Sequence, residues 1–226
     1  MLTKKILVVP AVVGLLALGG AGLAAATSTT GPAGTASAIY NCSATPYPEI
    51  DLAGCGLKNH NLAGAHLATA DLANADLQGA HLQQAHLTGA NLTGANLMGT
   101  TLTSVILTGA NLTGTNLFEA TLTDATMTAA NLTTADLGGA TLTGAYLLDA
   151  NLTAATLSYA TLHYANLTYA NLTDADMSGA DLTSAGLAGA TLTHADLDDV
   201  IWSHTICPDG TLSDNDGSTC IGHLTP

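Results

Sequence analysis

From Leu52 to Leu197 a leucine returns every fifth residue, thirty times in register, with only Met127 and Met177 in its place. Trp202 continues the spacing once more. Five matches neither the helical period of 3.6 nor the strand period of 2. Two residues before nearly every leucine stands a small residue, as at Ala65, Ala70, Ala75 and Ala80; exceptions include Thr100, Val105 and Thr115, which are still compact. Residues two apart on extended chain point to the same side. Each unit therefore sends one small and one large apolar side chain inward and its other residues outward, then turns. Repeated thirty times, this coils the chain around columns of stacked leucine, with alanine wherever there is no room for more.

Such a repeat explains the composition. Charged residues are 9% of the chain and aromatics 4%, with one Phe and one Trp. A disordered chain is rich in charge and poor in apolar residues, and this sequence is the reverse. It reads as all-β, stacked in coils.

The repeating units, such as Ala90-Asn91-Leu92 and Ala135-Asp136-Leu137, resemble the pentapeptide-repeat family. The resemblance implies a right-handed quadrilateral β-helix with four units per coil. Thirty units then make about 7–8 coils, a rod about 36 Å long at ~4.8 Å per coil. It also brings in a known activity, because some family members inhibit DNA gyrase by imitating duplex DNA as an acidic rod.

The sequence divides into four parts. Residues 1–38 read as a signal peptide and leader: Lys4 and Lys5, an apolar run from Ile6 to Leu18, then small residues, with A-x-A cleavage sites ending at Ala26 and Ala38. The alternative is an uncleaved anchor, since Ile6 to Ala26 is nearly long enough to span a membrane. Residues 39–50 form an N-terminal cap, 51–202 the repeat, and 203–226 a C-terminal cap. Val200, Ile201, Trp202 and Ile206 are expected to cover the last leucine. Cleavage leaves Lys58 alone against 17 Asp plus Glu, a net charge of −16. Nucleic-acid binding through phosphates needs Lys and Arg, so that class is excluded.

Four cysteines allow three pairings. In a rod of the implied length the two ends lie tens of ångströms apart, leaving Cys42–Cys55 and Cys207–Cys220 within disulfide reach. Cys55 also occupies an inward small-residue position and has a second reading as a buried thiol. The loop after Cys207 carries Asp209, Asp214 and Asp216 around turn-forming glycines. Its oxygens make it a weak Ca²⁺ candidate, although its spacing is not that of an EF-hand and Asx-turn chemistry explains it as well.

With four units per coil, residues twenty apart stack on one face. An asparagine face carries Asn91, Asn111, Asn131, Asn151 and Asn171, each followed by Thr two residues later. Opposite lies a threonine face with Thr101, Thr103, Thr121, Thr123, Thr141 and Thr143, then Thr161 and His163. Thr-x-Thr ranks of this kind resemble the ice-binding surface of β-solenoid antifreeze proteins. An acidic face carries Asp76, Asp136, Asp176, Asp196 and Asp198, with Met98 and Phe118 midway. The fourth, mixed face stacks His66 on His86, then Ile106, Thr126 and Tyr146. The two histidines with His81 are a metal candidate whose plainer reading is surface histidine. Six Asn-Leu-Thr triplets match the glycosylation pattern, but the repeat produces them automatically.

No catalytic constellation, cofactor motif or deep pocket is legible. The sequence points to a non-catalytic, secreted or envelope scaffold with no cofactor. Its unnamed protein or glycan partner is expected outside the cell. An acidic DNA-mimic inhibitor of a topoisomerase and an ice-binding protein are the alternatives.

Overall fold

The computed structural model describes residues 42–224; the signal and leader reading and residues 39–41 of the expected N-terminal cap fall outside them. From Asp51 onward the chain repeats one five-residue conformation, a bridge residue followed by the inward leucine and a two-residue turn. Parallel bridges pair residues twenty apart, from Asp51 with Asp71 up to Gly186 with Ile206. The result is a four-sided solenoid. Its repeat continues past Trp202 through a unit centred on Cys207, which takes the leucine position, and so completes an eighth coil.

Backbone hydrogen bonding explains the consensus. In the unit 130–134, Asn131 N–H donates to the Ala110 carbonyl below (2.9 Å). Leu132 and Thr134 donate to the Asn151 and Thr153 carbonyls above (2.7 and 3.0 Å), and Ala130 closes the preceding turn on Met127 (3.0 Å). Four of five N–H groups are thus met by backbone. The fifth, on Thr133, is taken by the side-chain oxygen of Asn131 at 3.2 Å. Asn or Asp before the leucine supplies the acceptor that the coil itself lacks, which is why those residues recur there.

The interior is leucine and alanine, with Leu67 through Leu187 almost fully buried. Where alanine gives way to threonine the hydroxyl is buried yet satisfied. Thr100, Thr115 and Thr205 donate to the carbonyls of Leu77, Leu92 and Leu182 at 3.1, 2.8 and 2.7 Å. Each corner places one residue in the left-handed region, at φ near +55° to +70°. Glycine is the low-cost residue there, but Thr134 (φ 55°) and Tyr164 (φ 58°) occupy it as well.

Both ends carry disulfides. Cys42 bonds Cys55 and Cys207 bonds Cys220, with Cα atoms 5.5 and 5.4 Å apart. Cys55, 2% exposed, is a bridged cysteine and not a free buried thiol. At the C-terminal end, Ile206 pairs antiparallel with Leu212, and a short 3-10 turn follows at Ser213–Asp216. Ser213 donates its hydroxyl to the Trp202 carbonyl and accepts from Thr205 N–H. The expected apolar cluster is only partly formed. Trp202 is buried and Val200 half-buried, whereas Ile201 and Ile206 are 49% and 44% exposed. Both isoleucines stand at the bridge position, one residue before the inward one, and so point outward.

Candidate functional site

A filled interior leaves the four faces as the surface on which anything can be bound. They differ in what their side chains have already spent.

On the asparagine face each threonine from Thr93 to Thr173 is committed. Thr113 donates to Asn111 at 2.7 Å, and its oxygen accepts from the side-chain amide of Asn131 at 3.0 Å. The relay repeats from Asn91 through Thr173, Thr93 accepting from Asn111, Thr133 from Asn151 and Thr153 from Asn171. Direct Asn–Asn bonds are longer, 3.4–3.5 Å. The ladder is an asparagine–threonine relay, and the face is structural.

The threonine face is its opposite in chemistry as well as position. Thr101, Thr121, Thr141 and Thr161 stack through parallel bridges. With threonine at the bridge position there is no Asx oxygen to take the next N–H. The hydroxyls of Thr101, Thr103, Thr121, Thr123, Thr141 and Thr143, and the N–H groups of Thr103, Thr123 and Thr143, have no hydrogen-bond partner among the described residues. Three coils therefore present regular ranks of donors and acceptors directed to water. Above them, His163 Nε2 lies 2.7 Å from Asp181. Burial tends to raise the Asp181 pKa, but hydrogen bonds from Thr183 and the His163 contact hold it below the usual carboxylate value.

The acidic face is less acidic than its aspartates imply. Asp76 pairs with Lys58 at 3.2 Å. Asp76, Asp136, Asp176 and Asp196 each accept the N–H two residues on, from Gln78, Gly138, Ser178 and Asp198. Asn96, Asn116 and Thr156 interrupt the column. Phe118, 40% exposed, lies against Gly138 in the middle of it.

In the C-terminal loop the carboxylates do not converge. Asp209 accepts from Thr211 N–H and hydroxyl at 2.9 and 2.7 Å and meets His223 at 2.6 Å. The Thr211 hydroxyl first, then its N–H, and more weakly His223, lower the Asp209 pKa to about 2. Asp214 instead accepts His204 N–H at 2.8 Å and lies 3.1 Å from that imidazole. These two aspartates hold the cap together; the Asp216 side chain lies outside the described atoms. His66 and His86 stack with centroids 5.1 Å apart. Among the described residues no group of three His, Cys, Asp or Glu is placed to hold a metal.

One feature of the mixed face was not singled out from the sequence. Tyr146, Tyr164 and Tyr169 are 53%, 69% and 66% exposed around Asn166. The available signal was that four of the chain's six tyrosines fall within 146–169, with three at corner positions.

Coils of this construction, closed by disulfides and presenting flat faces, define a β-solenoid scaffold. The chain belongs to the pentapeptide-repeat family: the "Pentapeptide repeats" profile matches eight copies, over residues 49–84, 65–103, 95–133, 135–174 and 162–200. The fold is accordingly that family's right-handed quadrilateral β-helix, and its members are generally non-catalytic. Similar solved structures include HetL, a pentapeptide repeat protein involved in heterocyst differentiation regulation from the cyanobacterium Nostoc. It is 32% identical, over 76% of this chain and 95% of that one, with a TM-score of 0.42. QnrB1, a plasmid-mediated fluoroquinolone resistance protein, is 17% identical over 72% and 84% of the two chains, with a TM-score of 0.45. No curated protein matches the sequence.

Proposed function

We propose that this scaffold works outside the cytoplasm, without catalysis, by binding a partner on its flat faces. The observation that carries the reading is the pair of disulfides at the two ends, since such bonds persist in oxidising compartments. The signal-like residues 1–38 agree with it. A cytoplasmic topoisomerase is the wrong target for such a protein. The broken, Lys58-paired acidic column is also a poor copy of the evenly spaced charge of a duplex.

Intact mass of the native protein, taken separately from medium, envelope and cytoplasm, tests this. A species lacking residues to Ala26 or Ala38 and four protons lighter than its reduced form, found in medium or envelope, is the expected result. Full-length reduced protein in the cytoplasm overturns export. In that event, loss of gyrase supercoiling on adding the protein would make DNA mimicry the better reading.

A second reading rests on the unpaired hydroxyls of the threonine face. Regular ranks of uncommitted Thr oxygens are what ice recognition requires. It predicts thermal hysteresis and faceted crystals, lost on Thr121→Lys or Thr123→Lys; disc-shaped growth with the unaltered protein removes it.

A further inference from the structure

On the mixed face, within the scaffold reading above, we propose that Tyr146, Tyr164, Tyr169 and the side-chain amide of Asn166 form a binding site for a neutral polysaccharide.

Tyr164 and Tyr169 stand on consecutive corners of one coil, flanking the unit that holds Asn166, and Tyr146 is the bridge partner directly below Asn166. Tyr146 is therefore about 4.8 Å from Asn166 along the rod. The two corner tyrosines are separated by roughly 10 Å of extended chain. Their φ angles are 58° and 57°, a conformation that disfavours residues with a Cβ. In each column one neighbouring coil has glycine, Gly144 below Tyr164 and Gly189 above Tyr169, and the other has a small polar residue, Ser184 and Asp149. Folding alone is better served by glycine at both positions, yet each holds a large ring in water.

Gly189 also orients its neighbour. The Tyr169 ring lies where a Cβ on Gly189 would stand, within 2.4 Å, so the ring rests over the next coil's corner. None of the three phenol hydroxyls has a hydrogen-bond partner among the described residues.

Asn166 supplies the polar element. Its oxygen accepts from Thr168 N–H and hydroxyl at 3.0 and 2.6 Å, which fixes the amide plane. On the asparagine face the corresponding NH₂ group donates to a threonine eighteen residues earlier. Here that position is Leu148, and the NH₂ of Asn166 has no acceptor among the described residues. An oriented amide donor thus sits among three exposed rings and their free hydroxyls.

The occupant follows from this chemistry. The outward residues of the patch are Thr126, Thr128, Tyr146, Leu148, Asn166, Thr168, Gly186 and Ala188, all uncharged in a chain of 17 acidic residues. Asp124 and Asp149, at neighbouring corners, would repel an anionic polymer. A neutral sugar presents an apolar C–H face that stacks on tyrosine and a rim of hydroxyls that accepts from an amide. The flatness of the face selects an extended chain over a single enclosed sugar.

The experiment measures retention of the full protein on cellulose, chitin and a soluble neutral β-glucan, with alginate as the anionic counter-probe. A triple variant, Tyr146→Thr, Tyr164→Gly and Tyr169→Gly, uses only residues that the same columns already carry, and its melting temperature is recorded alongside. Wild-type retention on at least one neutral polymer should fall about tenfold or more in the triple variant, with little change in melting. Asn166→Asp, which removes the donor and adds a charge, should weaken binding on its own. Equal binding by wild type and variant, preference for alginate, or no retention on any neutral probe overturns the proposal. Cross-linking in envelope extract separates this failure from failure of the scaffold reading. A partner held equally by wild type and triple variant leaves the scaffold standing without this site. A protein partner lost with the tyrosines reassigns the patch, and no partner at all removes both readings.

Discussion

The side-chain amide of Asn131 donates to the hydroxyl of Thr113 in the coil below, 3.0 Å away. That hydroxyl in turn donates to Asn111 at 2.7 Å. Thr113→Val keeps the branched shape and removes both bonds, leaving the Asn131 amide only its longer 3.4 Å bond to Asn111, whose oxygen still accepts from the backbone N–H of residue 113. The expected destabilisation is about 1–2 kcal/mol. Thr123→Val on the opposite face removes a hydroxyl that bonds none of the described residues and should change stability by less than about 0.5 kcal/mol. Urea midpoints of the two variants, measured together, test whether the faces differ as the hydrogen bonding implies. Equal loss in both would reduce the relay to surface decoration.

Leu132 stands at the centre of the rod and is wholly buried. Leu132→Ala leaves a cavity that rigid coils above and below cannot close, at about 2–5 kcal/mol. Leu132→Asp buries a carboxylate with no partner and should split the stack into two separately melting halves, since each coil is held only by its neighbours. Hydrogen exchange centred on residues 110–153 would show where the break falls. Uniform protection in the Asp variant would be incompatible with this account.

The five-residue period was enough to place the inward leucines and alanines from Leu67 to Ala190, where burial follows position in the repeat; nearer the ends Ala65, Ala195 and Leu197 hold the same positions half-buried. The same rule, applied past Trp202, would have placed Ile201 and Ile206 outside and Cys207 inside. Counting apolar residues as a cluster obscured it. Stacking residues twenty apart also recovered all four faces. What the sequence did not disclose is which polar groups are spent. Thr103 and Thr113 look alike as letters, yet one hydroxyl is free and the other relays between Asn111 and Asn131. The difference lies in the bridge residue before the leucine, Thr101 in one case and Asn111 in the other. Asp209 and Asp214 were legible as an oxygen-rich loop, but only coordinates show each turned to its own histidine. The corner tyrosines stand at the position where glycine recurs, as at Gly89, Gly94, Gly109 and Gly114, and that recurrence is the sign in the pattern that the turn is left-handed.

That corner geometry is itself testable. Thr134 holds a branched side chain at φ 55°, a conformation that disfavours L residues by roughly 1–2 kcal/mol. Glycine relieves this at an entropic cost of about 0.5–1 kcal/mol and loses the bond from the Thr134 hydroxyl to the Thr133 carbonyl. Thr134→Gly should therefore be neutral to stabilising by about 1 kcal/mol. Gly109→Val meets no atom within 4 Å of the new Cβ, so its expected loss of about 1–2 kcal/mol would be backbone strain alone. Melting temperature should fall for Gly109→Val and hold or rise for Thr134→Gly.

The Cys207–Cys220 bond ties the last coil to the tail that covers it, across a separation of 13 residues. Its removal by Cys207→Ser with Cys220→Ser should cost about 2–3 kcal/mol. The loss should be local, because the interior coils keep their own ladders. Amides of residues 205–213 should exchange early while those near Leu132 stay protected. Simultaneous exposure of both regions would make the cap the nucleus of the whole solenoid.

Acid should loosen the same cap through Asp209. Its folded pKa, about 2, lies below the ordinary value of 3.8, chiefly because the Thr211 hydroxyl and N–H donate to the carboxylate, with His223 beside it. A depressed pKa means the ionised form is favoured by folding. Its contribution is complete above about pH 4 and is lost as the pH falls toward 2. Trp202, the only tryptophan, lies in the coil beneath and shares its carbonyl with Ser213 of the cap, so its fluorescence reports this end of the rod. Between pH 4 and 2 the emission should shift as the loop releases. Asp209→Asn, which keeps the acceptor but has no proton to gain, should start from a weaker cap at neutral pH and show a smaller change across that interval. An identical acid transition in both proteins would place the sensitivity in other carboxylates of the chain and leave Asp209 without a role in it.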